Sequence, residues 1–94
     1  MIKPTVGRVV WYTPGMGHPW REDAPLAAIV AKVHNDTLVN LMVIDSAGNP
    51  HGRPGVELCH GETRPSGAEY CEWMPYQKGQ AAKTEELEKK AANI

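Results

Sequence analysis

Residues 26–45, LAAIVAKVHNDTLVNLMVID, limit the fold more than any other stretch of this chain. Leu26 to His34 is a run of apolar residues in which both alternating sets are mostly apolar. Ala27, Ile29, Ala31 and Val33 form one set, and Leu26, Ala28, Val30 and Lys32 the other. Such a run suits a central strand covered on both faces near its start. Asn35-Asp36 follows, and both residues tolerate the positive φ that tight hairpins use. Thr37 to Asp45 then returns as a second strand. The pattern predicts a β-hairpin.

The flanking sequence extends this reading. Pro4 and Gly7 precede RVVWY, Arg8 to Tyr12, whose β-branched and aromatic residues favour a pleated strand. Pro14, Gly15, Gly17 and Pro19 end it, and a long loop carrying Met16, His18 and Trp20 runs to Pro25. After the hairpin, Ser46 to Pro50 makes a second turn and HGRPG reads as a loose stretch. Gly55 to His60 is a short strand, GETRPSG a loop, and Glu69 to Tyr76 a further strand expected to bend at Pro75. Short strands with these turns predict a mainly β fold: a small five-stranded SH3-like or OB-like barrel over residues 1–76. Residues 77–94 change character. QKGQAAKTEELEKKAANI is rich in Ala, Glu and Lys, with Glu85–Lys89 and Glu86–Lys90 at helical spacing and Leu87, Ala91 and Ile94 on one stripe. This predicts a short C-terminal helical tail, too short to be stable alone and so held by the barrel or by another chain.

Charge and length narrow the function classes. The chain has 94 residues and a formal net charge of −1, from 10 Lys+Arg against 11 Asp+Glu. A single domain of this size buries only roughly 60–65% of its unfolded surface, so a homo-oligomer is expected to supply further burial. The balanced charge gives no general attraction for nucleic acid or an anionic membrane. No apolar stretch is long enough to span a bilayer, and MIKPTVGR carries no signal-like apolar segment. Two cysteines without an export signal read as reduced thiols in a cytoplasmic protein.

No arrangement of residues announces an enzyme. His51, Cys59, His60 and Cys71 lack the close cysteine spacing of a structural zinc site, so no metal and no cofactor is expected. Cys59 and His60 are neighbours on a strand and point to opposite faces, which prevents a thiolate–imidazole pair between them, while Cys71 with His60 or His51 stays geometrically open. The glycines of PGMG, Pro14–Gly17, stand in no phosphate-loop context. The segment EWMPYQKGQ, Glu72 to Gln80, is more suggestive. Trp73 and Tyr76 offer flat rings, and Gln77 and Lys78 offer amide and ammonium groups, the chemistry that grips a base and a phosphate. The same residue types make a protein–protein hot spot, and equally Trp73 and Met74 finish a core with the rest as a linker. Trp11, Tyr12, Trp20 and Arg21 extend the candidate binding set. In it the aromatics stack, Arg21 and Lys78 neutralise phosphate, and Gln77 reads polar edges.

KPTVGRVV (Lys3–Val10), PLAAIVAKVHNDTLVNLMVID (Pro25–Asp45) and YCEWMPYQKGQAAKTE (Tyr70–Glu85) resemble a family of small uncharacterised phage and prophage proteins. The resemblance covers about half the chain and carries no assigned catalytic residues. It implies a phage-encoded cytoplasmic or virion protein, either a virion accessory protein or a counter-defence protein that binds a host factor or sequesters a nucleotide signal. The expectation is therefore a non-enzymatic, self-associating barrel that binds a small anionic, nucleotide-like ligand. The alternatives are a virion or assembly component acting through protein–protein contacts, or a weak single-stranded nucleic-acid binder. The near-neutral charge argues against the last.

Overall fold

In the computed structural model, residues 2–80 and 83 are described. The described strands are β1 (Val9–Thr13), β2 (Leu26–Asn35), β3 (Leu38–Ile44), β4 (Pro50–Cys59) and β5 (Tyr70–Glu72), with a 3-10 turn at Pro19–Asp23 between β1 and β2. They close into a barrel in the order β1-β2-β3-β4-β5, with β5 returning to β1. Neighbours in sequence are neighbours in space throughout. This is the SH3-like alternative, since an OB-fold follows a Greek-key order. A ring with an odd number of strands cannot be antiparallel at every seam. The parallel seam here is β4 with β5, where Leu58 pairs with Cys71 and Cys59 with Glu72.

Side-chain alternation divides the sheet into an inner and an outer face. Val10 and Tyr12 of β1, Leu26, Ala28 and Val30 of β2, and Val39, Leu41 and Val43 of β3 all point inward and are buried. Val56 and Leu58 of β4, with Cys71 and Trp73, complete the core.

The turns depart from expectation in their mechanism. The β2–β3 turn lies at Asp36-Thr37 and no described non-glycine residue has a positive φ, so the hairpin does not use left-handed Asn or Asp. Instead Asn35 Oδ1 accepts from both the Thr37 backbone N–H (2.9 Å) and the Thr37 hydroxyl (3.1 Å). Asp45 organises the β3–β4 turn in the same way. Its Oδ1 accepts from the N–H groups of Ala47 and Asn49, at 3.0 and 2.9 Å.

Two strand boundaries were misplaced by sequence reasoning. HGRPG is no loose stretch, because β4 runs through it from Pro50. The strand stays paired by absorbing Pro54-Gly55 as a bulge between the Leu41–Arg53 and Val39–Val56 pairs. Gly55 takes a φ of 65°, and its N–H donates to Asn40 Oδ1 at 2.8 Å. At the other end, β5 has only 3 residues and does not continue to Tyr76. Pro75 opens a helix described over residues 75–80. Proline suits that first helical position because its missing N–H has no partner there anyway. The expected tail stripe Leu87, Ala91 and Ile94 and the Glu85–Lys89 and Glu86–Lys90 pairs lie outside the described residues.

Candidate functional site

The fold scatters the aromatic–polar segment Glu72–Gln80. Trp73 is 1% exposed, and its Nε1–H donates to His60 Nδ1 at 3.2 Å. With Nδ1 accepting, His60 carries its proton on Nε2, which donates to the Asp36 carbonyl. Tyr12 is also 1% exposed, on the inward register of β1 beside Val10. Neither ring presents a face to a ligand, which corrects their assignment as stacking residues: both are core. Gln77 is occupied as well. Its Oε1 accepts from the Met74 N–H and its Nε2 donates to the Val9 carbonyl, each at 2.8 Å. The side chain thus caps the helix start and ties it to β1, in the manner of a third-position glutamine reaching back to a helix cap. Tyr76 is exposed and Lys78 half-buried on the same helix.

The remaining candidates fall into two places. Trp11 and Arg21 meet in a groove of about 350 Å³ on the outer side of the β1–β5 pair, lined also by Thr13, Ala24, Pro25, Tyr70 and Glu72. The strand register sets it up: Trp11 lies opposite Glu72, and Thr13 opposite Tyr70. The long loop supplies the far wall. Arg21 Nη1 donates to the Pro14 carbonyl at 2.8 Å, which pins the side chain across the groove mouth. Glu72 is engaged with Arg64, Oε1 to Nη2 at 3.0 Å, and this contact raises the pKa of the guanidinium. Glu72 is therefore already partnered, while the Arg21 side chain contacts a neutral carbonyl, with no acidic partner among the described residues.

A second, more apolar groove of about 510 Å³ lies between Thr37, Leu58, His60 and the loop residues Thr63, Arg64 and Pro65. Glu57 and Cys59 also line it, and its His60 and Arg64 are engaged with Trp73 and Glu72. Beyond the first groove, the outer face of β1–β3 carries an uncharged row. Val9 pairs with Ile29, and Ile29 with Met42; Trp11 pairs with Ala27. Val9 and Met42 are 38% and 37% exposed.

Trp20 went elsewhere, to a barrel mouth whose other members sequence reasoning missed. His51 and Arg53 lie opposite the inward-facing Val43 and Leu41, so they occupy core-facing positions of β4. Trp20, carried by the 3-10 turn, packs over them against the core. Its ring centroid is 4.6 Å from that of His18 and 4.4 Å from that of His51, and Arg53 Cζ lies 5.2 Å from it. His51 Nε2 contacts Asp45 Oδ2 at 2.7 Å. That contact, then the turn N–H of Asn49, holds the Asp45 carboxyl below its ordinary pKa. The visible signal was Asp45, an Asx-turn residue six positions before a histidine. The invisible one was the bulge that turns His51 and Arg53 inward.

The thiols are poor nucleophiles. Burial raises the pKa of Cys59 and, with Cys59 as its charged neighbour, pushes Cys71 up to about 12. Both are free and buried. Among the described residues no group of three His, Cys, Asp or Glu side chains is placed to hold a metal ion. Nor, among them, is any helix long and apolar enough to cross a membrane. No protein-family model, curated protein or solved structure matches the chain, so none of these comparisons identifies a phage family.

Proposed function

We propose that this chain is a non-enzymatic binding barrel whose outer groove takes a flat, anionic, nucleotide-like group. One observation carries the reading: Trp11 and Tyr70, two half-buried rings, share a groove with Arg21, a cation that has no acidic partner among the described residues. Flat rings accept a base by stacking, and a guanidinium forks onto phosphate oxygens. The volume, about 350 Å³, falls at the small end of the roughly 300–1,000 Å³ typical of ligand sites. Thr13 supplies a hydroxyl at the wall for orientation, and the Arg64 contact offsets the charge of Glu72. The raised thiol pKa values speak against Cys59 or Cys71 as a nucleophile.

Native mass spectrometry of the gently purified protein tests this. The expected spectrum carries extra mass equal to one small ligand per groove, and that mass disappears from Trp11→Ala and Arg21→Ala. Both side chains are half-buried outside the core cluster, and a cooperative melt of each variant checks that the fold is kept. Retention of the mass by both variants removes the assignment.

A second reading, contact with a neighbouring protein, is favoured by the uncharged Val9–Ile29–Met42 row. An apolar strip without charges suits another uncharged surface, and a second copy of the same strip provides one by twofold symmetry. It accommodates the expected homo-oligomer and an assembly role in a virion. A large bare assembly that dissociates in Met42→Lys supports it, and a monomer at all concentrations removes it.

A further inference from the structure

The barrel mouth contains a conflict between hydrogen-bond donors that a bound anion would resolve. His18 caps the 3-10 turn, its Nδ1 accepting from the Trp20 backbone N–H at 3.1 Å. A neutral imidazole that accepts at Nδ1 carries its proton on Nε2. Yet 3.2 Å from Nε2 stands Arg53 Nη2, and a guanidinium has no acceptor. Two N–H groups therefore face each other. The other tautomer moves the mismatch to the Trp20 N–H, and an imidazolium makes both contacts donor against donor. No protonation state of His18 satisfies the arrangement.

Arg53 adds a second observation. Its Nε is buried and has no hydrogen-bond partner. No carboxylate of the described residues lies within ion-pair distance of it; its guanidinium has the Tyr12 hydroxyl as a neutral hydrogen-bond partner, and Asp45, the acid of the cluster, is engaged by His51 and two turn N–H groups. Nε and Nη2 share one edge of the guanidinium, the side-on fork that fits two oxygens of a carboxylate or phosphate. A buried unpaired donor such as Nε is costly to a folded chain.

We infer that His18 and Arg53 form a site for a small oxyanion at the barrel mouth. One oxygen bridges the His18 Nε2–H and Arg53 Nη2–H, and a second reaches the Nε edge. Trp20 and His51 wall the site and hold both donors in place. This site faces the barrel interior and stands independently of the outer groove.

The test is a titration of the whole chain with inorganic phosphate and, in parallel, with acetate, against chloride at equal ionic strength. Nitrogen-15 NMR of the histidine rings reads binding. The expected result is a saturable shift at the His18 ring with a rise in melting temperature. Saturation by both anions marks a general oxyanion site, and saturation by one names its class. His18→Phe keeps the stack on Trp20 and removes the N–H, and Arg53→Lys keeps the charge and removes the fork. Each is expected to weaken binding by about tenfold or more, in line with the loss of a charge-assisted hydrogen bond. The absence of any saturable His18 shift with either anion overturns the proposal. So does an unchanged melting-temperature response to phosphate in a cooperatively folded His18→Phe.

Discussion

Alkaline unfolding reads whether the barrel closes at its parallel seam. Cys71 on β5 is fully buried, and burial first, then the Cys59 thiol, moves its pKa from an ordinary 9.0 up to about 12. Between those values the native chain holds a proton that the unfolded chain has released. Stability then falls as pH rises, because protons bind more tightly to the folded state. The slope for one such group is about 1.4 kcal/mol per pH unit. A separation of about three units caps the loss at roughly 4 kcal/mol, reached only near pH 12. Urea unfolding of the wild type and of Cys71→Val across a pH series isolates this group, since lysines, Tyr12 and Cys59 titrate in both. Valine keeps the site apolar and suits a strand. The stability difference between the two proteins is expected to be level at neutral pH. Above about pH 9 it should move against the wild type by about 1.4 kcal/mol per unit. A difference that stays level through the alkaline range would mean that Cys71 meets water and that β5 is not seated on β4.

Three further outcomes follow from named contacts. Gly55→Ala should cost about 1–2 kcal/mol in urea unfolding from backbone strain alone, since its φ is 65° and nothing lies within 4 Å of an added Cβ. Gly55→Asn should cost less, because asparagine tolerates that conformation. Gln77→Ala removes both hydrogen bonds that fix the helix start and should cost about 1–2 kcal/mol, with faster hydrogen exchange at the Met74 amide as its direct sign. Asp45 has a depressed pKa in the folded state, so its stabilisation is present above its ordinary value of 3.8 and is lost as pH falls through the lower folded value. Asp45→Asn should flatten that limb of the acid-unfolding curve.

How much of this was legible in the sequence differs from one element to the next. The hairpin of residues 26–45 was readable because its apolar runs are bounded by a turn whose residues bind their own backbone. β4 was not. Counting alternate residues back from Leu58 and Val56 places Pro54 and Gly52 inside and leaves Arg53 and His51 outside. The bulge at Gly55 reverses that parity, and a one-residue slip exchanges the faces of a strand. The inward-facing His51 and Arg53, and with them the barrel mouth, were hidden for that reason. Trp73 and Gln77 illustrate a different limit. Residue type predicted their chemistry, stacking for one and amide hydrogen bonding for the other, but the core and the helix cap had first use of both. Trp11 and Arg21 were named as binding candidates from residue type, and their meeting with Tyr70 in one groove needed the β1–β5 register, which no local pattern encodes.

The central claim is that a nucleotide-like group binds between Trp11, Tyr70 and Arg21. Amide and indole chemical-shift mapping with adenosine monophosphate as the probe tests it most directly. The account predicts saturable shifts at the Trp11 indole and at the backbone of Arg21 and Tyr70, with the Trp73 indole unmoved in the core. Shifts confined to Tyr76, Gln77 and Lys78, or no saturable shift at Trp11, would contradict it.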